Sequence, residues 1–109
     1  MRYSSEMKMP PQPRFSSRQI APFCRRWQVQ QLALFGSAAR GDAASTSDVD
    51  VLVTFKPEAA WSLFDLVDMR DELSRIFRRD VDLVEEKALR NPFLRRSVLR
   101  DKLVLHEAG

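Results

Sequence analysis

Asp48 and Asp50 stand two apart at the head of the run Asp48-Val49-Asp50-Val51-Leu52-Val53-Thr54-Phe55. Valines and Phe55 alternate there with the other residues, which is the period of a β-strand, and side chains two apart on a strand leave the same face within about 7 Å of each other. Two carboxylates so placed can share a pair of divalent cations roughly 3.5–4 Å apart; without a cation their like charges repel. Upstream the chain reads Phe35-Gly36-Ser37-Ala38-Ala39-Arg40, with ten residues between Ser37 and Asp48. Gly36 has no β-carbon and lets another group approach the backbone, while the amides of Ser37 and Ala38, opening a short helix, would point at an anion. Arg40 adds a planar charged fork suited to phosphate. A third acid, Asp82, lies in Val81-Asp82-Leu83-Val84. If its strand pairs beside the one carrying Asp48 and Asp50, three carboxylates converge. Such a triad holds magnesium through the oxygen ligands it prefers, keeps room for a triphosphate, and leaves one acid able to orient or deprotonate a hydroxyl. The chemistry implied is in-line attack on the α-phosphorus of a nucleoside triphosphate, with pyrophosphate expelled.

Competing readings of the same residues fail on specific positions. The spacing of Gly36 and Gly41 is that of a phosphate-binding P-loop, which needs Lys and then Ser or Thr after the second glycine. Asp42 and Ala43 stand there, and a carboxylate in that place would repel the phosphates. A calcium-binding EF-hand loop counted from Asp48 needs glycine at its sixth position and glutamate at its twelfth, and these are Val53 and Ala59. Arg40-Gly41-Asp42 spells an adhesion tripeptide, in a chain without the apolar core of a signal peptide.

The elements that must position these residues follow from periodicity and capping signals. Ile20, Phe23, Cys24 and Trp27 recur at helical spacing from Ser16 or Ser17 onward, with Pro22 tolerated only near the helix start. Val29 to Phe35 reads as a central strand covered on both faces, closed by Gly36, and Val49 to Phe55 as the second strand. Ser62 with Asp65 three residues on resembles a capping box opening a helix to about Phe77, whose apolar stripe is Leu66, Met69, Leu73 and Ile76. The charges of Asp68, Asp71, Glu72 and Arg75 read as its solvated face. Val81 to Val84 is a short third strand. Asn91-Pro92 is an N-cap followed by a proline suited to the first helical turn, opening a helix to about Arg100, and Lys102 to His106 a last edge strand. The expectation is an α/β (α+β) domain with a small mixed sheet flanked by helices. Strand order is not readable from this pattern.

At 109 residues the chain reads as one small domain, expected over residues 15–109 behind a polar, proline-rich flexible tail at 1–14. Hydrophobic residues at 44% and charged residues at 30% exclude a mainly disordered chain, and no apolar run reaches the length of a membrane span. Cys24 is the only cysteine, so no internal disulfide can form; a half-buried helix residue in a reducing cytoplasm is expected. The net charge of +3 is spread over interleaved arginines and acids, unlike the dense basic cluster of a nucleic-acid binder. His106, the only histidine, stands beside the terminus and reads as a surface residue.

Gly36-Ser37, a spacer of ten, Asp48-Val49-Asp50 and the later Asp82 together resemble the signature of the DNA polymerase beta-like nucleotidyltransferase superfamily. The fuller string Phe-Gly-Ser-Ala-Ala-Arg-Gly-Asp-Ala with Ser-Asp-Val-Asp-Val-Leu-Val resembles its minimal nucleotidyltransferase branch. The resemblance implies the nucleotidyltransferase fold and transfer of AMP from ATP to a hydroxyl. By that likeness Gly36 and Ser37 hold triphosphate, Arg40 matches the motif's arginine, Asp48 and Asp50 bind two magnesium ions, and Asp82 completes the site and acts as base. The partner it implies is a small helical HEPN-domain ribonuclease toxin, held in a hetero-oligomer and neutralised by adenylylation of a tyrosine or by tight binding alone. The short chain leaves no room for an acceptor-gripping domain, so the acceptor is expected to be a docking protein. A non-catalytic antitoxin that masks its partner sterically is the alternative.

Overall fold

The computed structural model describes residues 17–36, 39 and 48–108. The expected tail at 1–14 lies outside these residues, as do Ser37 and Arg40. In order the elements are α1 (Ser17–Arg26), β1 (Val29–Leu34), β2 (Val49–Phe55), α2 (Leu63–Phe77), β3 (Val81–Glu85), a 3-10 turn (Glu86–Ala88), α3 (Pro92–Asp101) and β4 (Leu103–Glu107). The four strands form one mixed sheet in the order β3-β2-β1-β4. β1 runs antiparallel to both its neighbours and β2 runs parallel to β3. A parallel pair needs a crossover, and α2 supplies it.

β1 is central, as its continuous apolar run requires: Leu32, Ala33 and Leu34 are fully buried. Alternate residues of the strands feed two cores. On one face Val29, Leu32, Leu34, Val49, Val51, Val53 and Val81 meet Ile20, Phe23 and Cys24 of α1 and Met69, Leu73, Ile76 and Phe77 of α2. On the other, Ala33 and Leu52 meet Val98 of α3, with Val84 and Leu99 at the margin. The first core is the larger, and fully burying one of its Val, Leu, Ile or Phe side chains stabilises by about 1.5–3 kcal/mol. Cys24 is only 1% exposed, deeper than the half-buried site expected, and burial pushes its thiol up to about 12.

α2 and α3 start where their capping residues dictate. Ser62 accepts from the Asp65 amide and the Asp65 carboxylate accepts from the Ser62 amide, the capping box expected of this pair. Asn91 accepts from the amides of Phe93 and Leu94 with Pro92 beginning α3. α2 ends at Arg78, held left-handed at φ 58°, with its amide donating to the Ser74 carbonyl. Pro22 falls inside α1 rather than in its first turn, because the helix begins at Ser17. The Trp61 indole donates to the Trp27 carbonyl and the Trp27 indole to Glu72, which ties the start of α2 and its middle to the end of α1.

Candidate active site

The three acids named from the sequence come from two adjacent strands. β2 and β3 pair in parallel register with Asp50 opposite Asp82 and Val49 opposite Val81. Residues opposite each other in a parallel ladder point the same way, so Asp50 and Asp82 share the α3 side of the sheet, and Asp48, the residue just before β2 begins, is near enough for its charge to act on Asp50. Two bonds fix this register at its origin. The Val49 amide donates to the Asp80 carbonyl at 2.9 Å, and the Val81 amide, on the outer edge of β3, donates to Ser74 Oγ of α2 at 3.1 Å. The packing of α2 therefore sets where Asp82 stands relative to Asp50.

Gly36 closes the site from the β1 side. The Phe35 amide donates to the Asp50 carbonyl at 3.0 Å, which brings the chain leaving β1 over Asp50. Gly36 follows at φ +64°, and a β-carbon placed there would lie 2.7 Å from Asp50 Oδ2. The glycine is expected to let another group approach the backbone, and in the structure that group is the Asp50 carboxylate. Both the left-handed backbone and the missing β-carbon are needed at this position. Of the anion-binding residues expected after it, Ser37 and Arg40 lie outside the described residues.

The electrostatics follow from this placement. Asp50 is half-buried, and its carboxyl is raised above the ordinary range first by burial, then by the negative charge of Asp82 and that of Asp48. Asp48 and Asp82 are exposed. Among the described residues no three metal-ligating side chains already surround a common point. The donor set is nonetheless one that a divalent cation fits: all oxygen, with a mutual repulsion at Asp50 that a positive charge would relieve.

The structure adds residues that the sequence reading set aside. A cleft of about 470 Å³ opens beside Asp48 and is walled by Arg70, Asp71, Ser74 and Arg75 of α2 with Asp80 and Val81. Asp71 and Arg75, assigned from helical periodicity to a plain solvated face, thus share a cleft with Asp48. Periodicity tells which residues leave the core but not what the other face overlooks, and only the α2–β3 crossover decides that. His106 sits on β4 opposite Leu32, two strands away from β2 on the far side of β1.

A mixed sheet with acids from adjacent strands and a glycine turn packed on one of them supplies the oxygen donors that phosphate chemistry through bound cations requires. The description "Nucleotidyltransferase domain" matches residues 17–105, and the chain belongs to that family. Protein adenylyltransferase MntA of Thermococcus cleftensis is 36% identical over 76 residues, which are 70% of this chain and 74% of that protein. A solved chain provisionally named a minimal nucleotidyltransferase is 35% identical with a TM-score of 0.66, covering 80% of this chain and 88% of that one. A chain from the solved complex of tri-AMPylated Shewanella oneidensis HEPN toxin with MNT antitoxin shares the fold at 20% identity and a TM-score of 0.59, covering 84% of this chain and 70% of its own. The resemblance read from Gly36 to Asp82 is to the family that residues 17–105 match. Among the described residues no helix is long and apolar enough to cross a membrane.

Proposed function

We propose that this chain transfers AMP from ATP to a tyrosine hydroxyl of a HEPN-domain toxin, and that it acts as that toxin's antitoxin. The observation that carries the reading is the register that sets Asp82 opposite Asp50, with Asp48 near enough for its charge to raise Asp50. The likeness to an adenylyltransferase and to an antitoxin solved with an AMPylated HEPN toxin supports the donor and the partner.

Asp48 and Asp50 would hold two magnesium ions and Asp82 would complete their ligands. Magnesium bound there offsets the phosphate charge and the charge developing on the leaving pyrophosphate. The chain's own residues do the rest. Gly36 allows Asp50 to lie against the backbone, and by the likeness to the family Gly36, Ser37 and Arg40 are the residues assigned to the triphosphate of ATP. Asp82, exposed on the edge strand, takes the proton of the acceptor hydroxyl. The hydroxyl oxygen bonds to the α-phosphorus, the bond from that phosphorus to the bridging oxygen of the β-phosphate breaks, and pyrophosphate departs with the electron pair. The products are an AMP-tyrosine ester and pyrophosphate.

The test uses full-length protein, magnesium, α-labelled ATP and the HEPN protein of the same genome. Label should appear on a tyrosine of the HEPN protein, and Asp48→Ala with Asp50→Ala should lower the rate by at least about 100-fold, the scale of removing a preorganised charge stabiliser. Undiminished transfer by the double variant would sink the mechanism. Neutralisation of the toxin by that variant without any AMP on the partner would favour steric masking.

A further inference from the structure

The free edge of β3 lies next to an apolar ridge that the core does not use. Among the described residues β3 ends the sheet, with one side of its backbone unpaired there. The Asp80 carbonyl accepts from β2, which places the polar groups of Asp82 and Val84 on the inner side and those of Val81, Leu83 and Glu85 on the outer side. Val81 gives its amide to Ser74 Oγ. The amide and carbonyl of Leu83 and the amide of Glu85 are left open to a new strand. Beside them the first turns of α2 expose Leu63 at 75%, Phe64 at 81% and Val67 at 38%. A groove of about 220 Å³ is lined by Leu63, Leu66 and Val67 of α2 and Leu83 of β3, with the charged Arg70, Asp82 and Glu85 completing its walls.

Resting on the reading above that the acceptor is a protein, we propose that this groove and the β3 edge form the acceptor's docking surface. The occupant is an extended segment of the acceptor that adds as a fifth strand beside β3. Alternation along such a strand separates two jobs. The residue opposite Asp82 points to the same face as Asp82 and Asp50 and is the hydroxyl residue that receives AMP. The residues directly before and after it point to the opposite face, toward Leu63 and Val67, and are apolar. The groove reaches Asp82, the acid proposed as base, which is why one occupant meets both. Backbone bonds to Leu83 and Glu85 give affinity without a fixed sequence; the apolar flanks give selection.

The experiment joins two measurements on the full chain with the HEPN protein of the same genome. Hydrogen exchange should show the Leu83 and Glu85 amides protected in the complex. Leu63→Glu with Val67→Glu, both at exposed positions, should raise the KM for the HEPN protein at least tenfold with kcat within twofold and the thermal shift by Mg-ATP unchanged. AMP transfer with both amides unprotected and KM unaltered overturns the docking surface and leaves the protein-acceptor reading standing. Protection of both amides without AMP on any protein keeps the docking surface and overturns the acceptor role. Neither protection nor transfer overturns both.

Discussion

The carboxylate of Asp50 lies so close to Gly36 that a β-carbon on residue 36 would stand 2.7 Å from Oδ2. The first prediction follows from that contact. Gly36→Ala must either push the Asp50 carboxylate away from Asp48 and Asp82 or shift the backbone that leaves β1, and its φ of +64° disfavours any side chain besides. A left-handed residue with a β-carbon costs roughly 1–2 kcal/mol. The variant should therefore unfold at lower denaturant concentration and transfer AMP at least about 10-fold more slowly, because a ligand moved by a fraction of an ångström no longer shares its cations. Wild-type activity in Gly36→Ala would show that the contact has no catalytic weight.

Asp50 should make stability depend on pH in the sense opposite to a salt-bridged acid. Its carboxyl is raised by burial and by Asp82 and Asp48, so the folded protein keeps a proton that the unfolded chain has lost. In magnesium-free buffer, stability is unaffected by this group below the ordinary carboxylate range. It falls as pH rises through the raised value, and the full penalty stands above it. Asp50→Asn removes that fall, so at neutral pH the variant should melt at a higher temperature than the wild type. Magnesium should raise the melting temperature of the wild type and leave Asp50→Asn nearly unchanged. Thermal melts across pH 3 to 8, with and without magnesium, read both effects; a parallel pH profile for the two proteins would refute them.

Ser74 acts on the site at one remove. Its hydroxyl holds the Val81 amide that starts β3, and β3 carries Asp82. Ser74→Ala leaves that amide without a protein partner, at a cost of about 1 kcal/mol for a part-buried bond. Asp82 should then be held less firmly opposite Asp50. The expected result is a fall in kcat of several-fold with the KM for ATP little changed, and faster amide exchange at Val81. Ser74→Thr, which restores the hydroxyl, should recover most of the rate; equal kcat in the alanine variant would make the bond merely structural.

Much of this was legible along the chain, for reasons that are local. Period-two alternation marked the strand of Asp48 and Asp50, and the continuous apolar run of Val29 to Phe35 marked a central strand because only burial on both faces permits it. Ser62 with Asp65, and Asn91 with Pro92, announced their helices by capping chemistry that needs no tertiary context. The motif from Gly36 through Asp50 pointed to the family for the same reason: its residues are neighbours in sequence.

Tertiary structure decided what depends on strands far apart in sequence. That Asp82 faces Asp50 follows from the parallel register of β2 and β3, which α2 and the bond from Val81 to Ser74 impose, and no residue pattern encodes a pairing partner. That Gly36 makes room for a carboxylate follows from the path of β1 over β2. That Arg70 and Arg75 overlook Asp48 follows from how α2 lies across the sheet. Residue types and spacing determined the chemistry available; the packing of the crossover helix determined which of those groups meet.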